Sequence, residues 1–237
     1  MGDGDELGGP DGRSPFGYWP SGGPWFLVLL TLFVLAIIFI NLVGYVYQRV
    51  GLSPGWLMAV LVGCLVGSRV NIPIWKFHGS SEVAPTDVVV FGVRYRVPTV
   101  KDSGTMVLAV NVGGALIPTA VSVYLILHDR IWEHSLIAIA CVAAAVWLVA
   151  RPVKGVGIVT PSFVPPFAGG LVAIAIGGPA EAALAYICGT VGTLIGADLL
   201  NLPRIRQLSA PEASIGGAGT FDGVFLAGLF SVVIASL

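Results

Sequence analysis

Asp198 and Asp222 are the residues of this chain best suited to do chemistry. Asp198 lies in Gly189-Thr-Val-Gly-Thr-Leu-Ile-Gly-Ala-Asp-Leu-Leu-Asn-Leu202, and Asp222 in Gly216-Gly-Ala-Gly-Thr-Phe-Asp-Gly-Val-Phe-Leu-Ala-Gly-Leu-Phe230. A carboxylate inside hydrocarbon costs about 2.5–3.5 kcal/mol at a helix centre even on the mildest insertion scale, so such residues are usually functional. Two carboxyls close together in a low dielectric cannot both ionise cheaply and come to share a proton. One then activates a water while the other protonates a carbonyl oxygen, which is acid–base chemistry suited to peptide hydrolysis. For that, the two carboxyls are expected within about 7 Å of each other, the reach of a shared proton or a bridging water.

The elements that must position these residues are membrane helices. Of the 237 residues, 56% are hydrophobic and only 11% charged, and the mean hydropathy is +0.90. Such a chain is expected to be an all-α polytopic membrane protein. Seven apolar runs stand near the length of about 20 residues that crosses a bilayer: Trp25–Tyr47, Pro54–Val70, Gly104–Leu127, Ile131–Ala150, Gly155–Gly177, Ala180–Leu202 and Gly219–Leu237. The second is short, and the third is interrupted by Gly113, Gly114 and Pro118. The fifth carries Pro161, Pro165 and Pro166 and reads as a broken or re-entrant element, which is tolerated only where it is buried or lines a cavity. Residues 1–24 are acidic and rich in Gly and Pro and read as a tail, leaving 25–237 as one transmembrane domain.

With seven spans, Arg13, Arg69, Lys76, Arg94, Arg96, Lys101, Arg151, Lys154, Arg204 and Arg206 fall on one side, and Arg49 and Arg130 on the other. The positive-inside rule makes the first side cytoplasmic, with the N-terminus inside and the C-terminus outside. Both aspartates then lie about one helical turn inside the cytoplasmic boundary, on consecutive antiparallel helices. Residues 71–103 form an extramembrane insertion. In it, Asp87-Val-Val-Val-Phe-Gly-Val-Arg-Tyr-Arg-Val97 reads as a β-hairpin turning near Gly92, its second half alternating Val93, Tyr95 and Val97 with Arg94 and Arg96. Asn111 enters the third run from the same side and is placed to hydrogen-bond an aspartate across the bundle. An ordinary interhelical hydrogen bond explains it equally well. Asp198 has a plainer reading as a partner of Arg204, and Asp222 as a charge at a helix N-terminus. Cys64, Cys141 and Cys188 sit in apolar runs and read as small buried residues. His78, His128 and His134 are dispersed, so no metal site or cofactor is expected. Trp25, Trp56, Trp75 and Trp132 flank runs and read as interface anchors. A net charge of −1 gives no reason to expect nucleic-acid binding.

Gly217-Ala-Gly219-Thr-Phe-Asp222, followed by Gly223-Val-Phe-Leu, resembles the GxGD motif of the presenilin and signal-peptide-peptidase family of intramembrane aspartyl proteases. Ala197-Asp198-Leu-Leu-Asn-Leu stands where that family has Tyr-Asp. The resemblance covers the last two helices and implies Asp198 and Asp222 as the catalytic pair. Gly217, Gly219 and Gly223 would supply close backbone approach for a substrate. The chain departs from the family in the insertion of Thr220 and Phe221 before Asp222, in Ala197, and in lacking the Pro-Ala-Leu motif of a later helix. Pro165 and Pro166 are the residues that would stand in for that motif. The whole chain, including Asn111-Val-Gly-Gly-Ala-Leu-Ile-Pro118, also looks like a family of prokaryotic membrane proteins of unknown function.

Two function classes follow. The first is an intramembrane aspartyl protease of a prokaryotic plasma membrane. It acts on a transmembrane protein substrate, with membrane lipid as its other partner, and the hairpin at 87–97 offers a strand edge to an unwound substrate. The second is a proton- or cation-coupled transporter. Glycine- and proline-broken spans with acidic residues serve such proteins too.

Overall fold

The computed structural model describes residues 23–78, 87–90, 93–96, 105–153, 157–205, 212–217 and 223–237. It separates into two units, Met1–Asn41 and Leu42–Leu237. The described part of the first unit is the opening of helix α1 (Gly23–Arg49), composed mostly of large apolar residues exposed nearly all round.

Helix α2 (Pro54–Gly67) starts with proline in its first turn, where the missing N–H is no loss. Strand β1 (Asn71–His78) follows, then a hairpin of β2 (Asp87–Val90) and β3 (Val93–Arg96) in register Asp87↔Arg96 to Val90↔Val93. The alternation in the sequence located this hairpin; Gly92 itself lies outside the described residues. Strand β4 (Thr105–Asn111) leads through a π-helical turn, Val112–Leu116, into α3 (Ile117–Asp129). Helix α4 (Trp132–Val149) is followed by a small hairpin of β5 (Arg151–Val153) and β6 (Gly157–Val159) and then by α5 (Val164–Ile176). Helix α6 (Glu181–Ile187) continues through irregular turns to the short α7 (Leu202–Ile205). Strand β7 (Glu212–Ile215) and α8 (Gly223–Ala235) complete the order.

The third apolar run is therefore not one span. Its first part is β4, the central strand of a three-stranded sheet ordered β1-β4-β7. β1 pairs antiparallel with β4, from Asn71↔Asn111 to His78↔Thr105, and β7 pairs parallel with it, from Val107↔Glu212 to Val110↔Ile215. Met106, Leu108, Ala109 and Asn111 are buried, and Val107 and Val110 half-buried. A strand covered on both faces reads as a continuous apolar stretch, like a helix. Pro73 is accommodated because β1 is an edge strand, with a register irregularity between Pro73 and Trp75.

Among the described residues, four helical stretches are long and apolar enough to cross a membrane: Trp25–Arg49, Val112–Asp129, Trp132–Val149 and Glu181–Arg204. The second, fifth and seventh runs give shorter apolar helices, Met58–Gly67, Val164–Ile176 and Gly223–Ala235. The fifth run is not one helix. Its opening is β6, and Pro165 and Pro166 enter only at the first turn of α5. Cys64 and Cys188 are buried, but Cys141 is exposed on α4, because it faces away from the side of that helix that packs on α6. Trp25, Trp56, Trp75 and Trp132 are all exposed.

Small residues let the backbones meet. A Cβ on Gly192 would lie 2.8 Å from Val142 Cβ, and one on Gly196 2.9 Å from Val146 Cβ, so α4 and the extension of α6 run parallel in close contact. Ser231 of α8 fills the space left by Gly169 and Gly189. Among the described glycines Gly113 lies tightest against backbone, because its face abuts the Cys64 carbonyl and the Ser68 N–H at the end of α2. Neither backbone group can move aside. Gly113→Ala is expected to cost about 1–3 kcal/mol, the range for overpacking. Gly55→Ala, with nothing within 4 Å of its new methyl, should be neutral or stabilising by up to about 1 kcal/mol. Thermal unfolding in detergent measures both.

Candidate functional site

The helix that carries Asp198 is irregular. Beyond Ile187 it passes through two π-helical turns, Cys188–Gly192 and Leu194–Asp198, and a 3-10 turn, Leu199–Asn201. Gly189, Gly192 and Gly196 hold the helical state weakly. Thr193 Oγ1 donates to the Gly189 carbonyl at 2.5 Å, a back-bond of the kind that bends helices. At the far end Asn201 Nδ2 donates to the Gly196 and Ala197 carbonyls, both at 3.0 Å, and so satisfies carbonyls near the helix terminus. π-helical turns occur frequently at functional sites.

Leu194, Asp198 and Leu202 are spaced by four and share one face. Leu194 belongs to a buried cluster with Met106, Leu108, Ala115, Ile215 and Val224, and Leu202 packs on its edge. The half-buried Asp198 between them is thereby turned toward the end of β7. Its Oδ2 accepts the Gly216 N–H at 2.7 Å. Its Oδ1 has no hydrogen-bond partner among the described residues. Gly216 and Gly217 have φ of +82° and +88°, a left-handed conformation that other residues rarely adopt. A Cβ on Gly216 would also lie 2.6 Å from Ala115 Cβ and 2.7 Å from its backbone nitrogen. The N–H donor to Asp198 is thus fixed by a turn that only glycine fits.

Asn111 is fully buried, but it is the last residue of β4 and not a helical residue, and it does not bond Asp198. Its Oδ1 accepts the Gly114 N–H at 2.7 Å and caps the π-helical turn. Its Nδ2 donates to the Ser68 carbonyl at 2.7 Å and to Asn71 Oδ1 at 2.9 Å. Ser214 Oγ donates to the same Asn71 oxygen at 2.9 Å. Asn71, Asn111 and Ser214 stand on β1, β4 and β7, so one side-chain chain ties the three strands together just before β7 turns toward Asp198.

The structure therefore gathers Asp198, Gly217 and, through Asn71 and Ser214, Asn111. Gly223 opens α8 and is exposed. Pro165 and Pro166 are buried elsewhere: the Pro166 carbonyl accepts Ser231 Oγ at 3.2 Å, about 12 Å along α8 from Gly223 at the helical rise. Asp222 and Gly219, and with them the expected carboxyl separation, lie outside the described residues, between Gly217 and Gly223. Arg204 does not pair with Asp198. Its Nη1 donates to Asn201 Oδ1 at 2.9 Å. Asn71, Asn201, Ser214 and Gly216 were not singled out from the sequence. The signal for Gly216 was present in the paired glycines after an apolar Ala-Ser-Ile, a strand followed by a turn.

A carboxylate with one oxygen held by a backbone N–H and the other unpartnered can accept a proton, orient a water or meet a cation. Among the described residues no group of three or more His, Cys, Asp or Glu is placed to hold a metal ion. Fold and site define a helical membrane protein with a three-stranded sheet at the end where Asp198 lies. The chain belongs to the DUF1614 family, described as a protein of unknown function, which matches residues 65–234. No curated protein and no solved structure matches the chain.

Asn111→Ala removes a cap and two buried donations and leaves the Ser68 carbonyl unpaired. It should cost about 2–4 kcal/mol, from typical buried hydrogen-bond and N-cap values. Asp198→Asn keeps an oxygen for Gly216 and should change stability by less than about 1 kcal/mol, whereas Asp198→Leu leaves that N–H unpaired and costs about 1–3. Chemical denaturation in micelles separates these outcomes.

Proposed function

We propose that this chain is an intramembrane aspartyl protease of the presenilin and signal-peptide-peptidase type, with Asp198 and Asp222 as its acid–base pair. The observation that carries the reading is the setting of Asp198. It is half-buried on an irregular apolar helix, one oxygen is held by the glycine turn, and the other has no partner among the described residues. The described residues flanking Asp222 support it: Gly217 leaves that turn, and Val224 shares a buried cluster with Leu194. Strand β7 stands at the sheet edge beside Asp198, so an unwound transmembrane substrate has a strand edge to pair with. This edge lies closer to the carboxylate in the chain of contacts than the separate β2–β3 hairpin does. In this reading the chain crosses a prokaryotic plasma membrane seven times, with the N-terminus and the sheet in the cytoplasm and the C-terminus outside.

One observation favours a second reading, a proton- or cation-coupled carrier. Tyr186, Thr190 and Thr193 are buried on the same helix as Asp198, and the Tyr186 hydroxyl faces those of Thr190 and Tyr47. Hydroxyls lining a span toward a carboxylate are material for a proton relay.

Reconstituted protein decides between them. Asp198→Asn and Asp222→Asn should each reduce cleavage of a membrane-embedded reporter to background while the protein stays folded. Wild-type activity should follow a bell-shaped pH profile belonging to the pair. Full cleavage by either variant, with loss of solute-driven proton flux, would transfer the function to the carrier. Cysteine labelling should find the β2–β3 hairpin reactive from the cytoplasm and Leu237→Cys reactive only from outside; labelling of position 237 from the cytoplasm would refute the seven-span count.

A further inference from the structure

Among the described residues, no carboxylate meets the charge of Arg204. Its guanidinium donates from Nη1 to Asn201 Oδ1 at 2.9 Å and lies 5.8 Å from the centroid of the Trp147 ring. These are its contacts among the described residues, and no acidic side chain is among them. A guanidinium has five N–H donors in a rigid fork. Asn201 and Trp147 orient that fork, and among the described residues most of its donors have no other partner. The side chain is half-buried at the end of the Glu181–Arg204 stretch.

The surroundings say what kind of anion fits. Trp147 and Leu148 on α4, and Leu199 and Leu200 on the approach to Arg204, are exposed apolar side chains. Leu148 is 73% exposed at the end of a span-length helix. An oriented guanidinium beside exposed leucines and a tryptophan, at the end of two spans, matches a molecule with a charged head and apolar tails. Arginine meets phosphate oxygens bidentately, and basic pockets between membrane helices bind anionic head groups. We propose that Arg204, held by Asn201 and Trp147, binds the phosphate of an anionic phospholipid whose acyl chains lie against Leu148, Leu199 and Leu200. This site is independent of the catalytic reading of Asp198.

The test uses the full chain purified from phosphatidylcholine micelles doped with phosphatidylglycerol, with retained lipid read by native mass spectrometry. Wild type should retain phosphatidylglycerol over phosphatidylcholine. Arg204→Gln should lower that preference about fivefold, the effect of losing one basic residue near a lipid surface. Arg204→Lys keeps the charge but not the fork and should fall between; it also decides the matter if the glutamine variant does not fold. Fluorescence quenching of Trp147 by brominated phosphatidylglycerol, measured against Trp147→Phe, should be stronger than by brominated phosphatidylcholine. Unchanged preference in both Arg204 variants overturns the proposal. So does displacement of the lipid by excess inorganic phosphate, which would make the ligand a free anion.

Discussion

A strand that becomes a helix inside an apolar interior must find partners for the backbone groups that neither ladder can satisfy. Asn111 stands at that junction. Its amide serves the Gly114 N–H, the Ser68 carbonyl and the Asn71 side chain at once. A residue with both an acceptor and two donors on one short side chain is required, and asparagine supplies that set. Because the site is fully buried, water cannot substitute for any of the three bonds. The end of α2, the pairing of β1 with β4 and the start of α3 all depend on this one amide.

The same economy of space governs the Asp198 side. Gly216 closes against Ala115, one residue beyond the N–H that Asn111 caps, so the turn that serves Asp198 rests on the turn that Asn111 builds. Asn71 receives both Asn111 and Ser214. The geometry around the carboxylate is thus inherited from a polar network that never touches it. The π-helical turns of α6 complete the arrangement, because the glycines that press against α4 and α8 also loosen the helix where Asp198 must face the sheet.

The sequence disclosed what rests on composition and on local pattern. Long apolar runs marked the helices from α1 to α6, and alternation marked the β2–β3 hairpin. Asp198 was visible because a charge in an apolar run is costly. β4 was not visible, since a strand covered on both faces has no period to separate it from a helix. Without β4 the sheet could not be foreseen, nor β7, nor the role of Asn111. Asn111 was picked out for its polarity, but it stands on β4 and not on a helix, and its bonds go to Ser68, Asn71 and Gly114 and not to Asp198. Gly216 reaches Asp198 only through the parallel pairing of β7 with β4, which no local pattern records. Pro165 and Pro166 were chosen by analogy with a motif, and their carbonyl belongs to the packing of α5 on α8.

The parallel pairing of β7 with β4 also sets an order in time. A ribosome delivers Asn71, Asn111 and Asp198 to the membrane before it delivers Ser214 and Gly216. The first two strands can zip while the later helices are still being made, but the third strand arrives when nearly everything else is in place. Long-range pairings of this kind form late because chain closure must precede them. The amide that holds the Asp198 carboxylate therefore joins after the carboxylate is already in place, and a chain halted between Asp198 and Gly216 would carry the carboxylate without its partner. Maturation of the site is coupled to the arrival of β7.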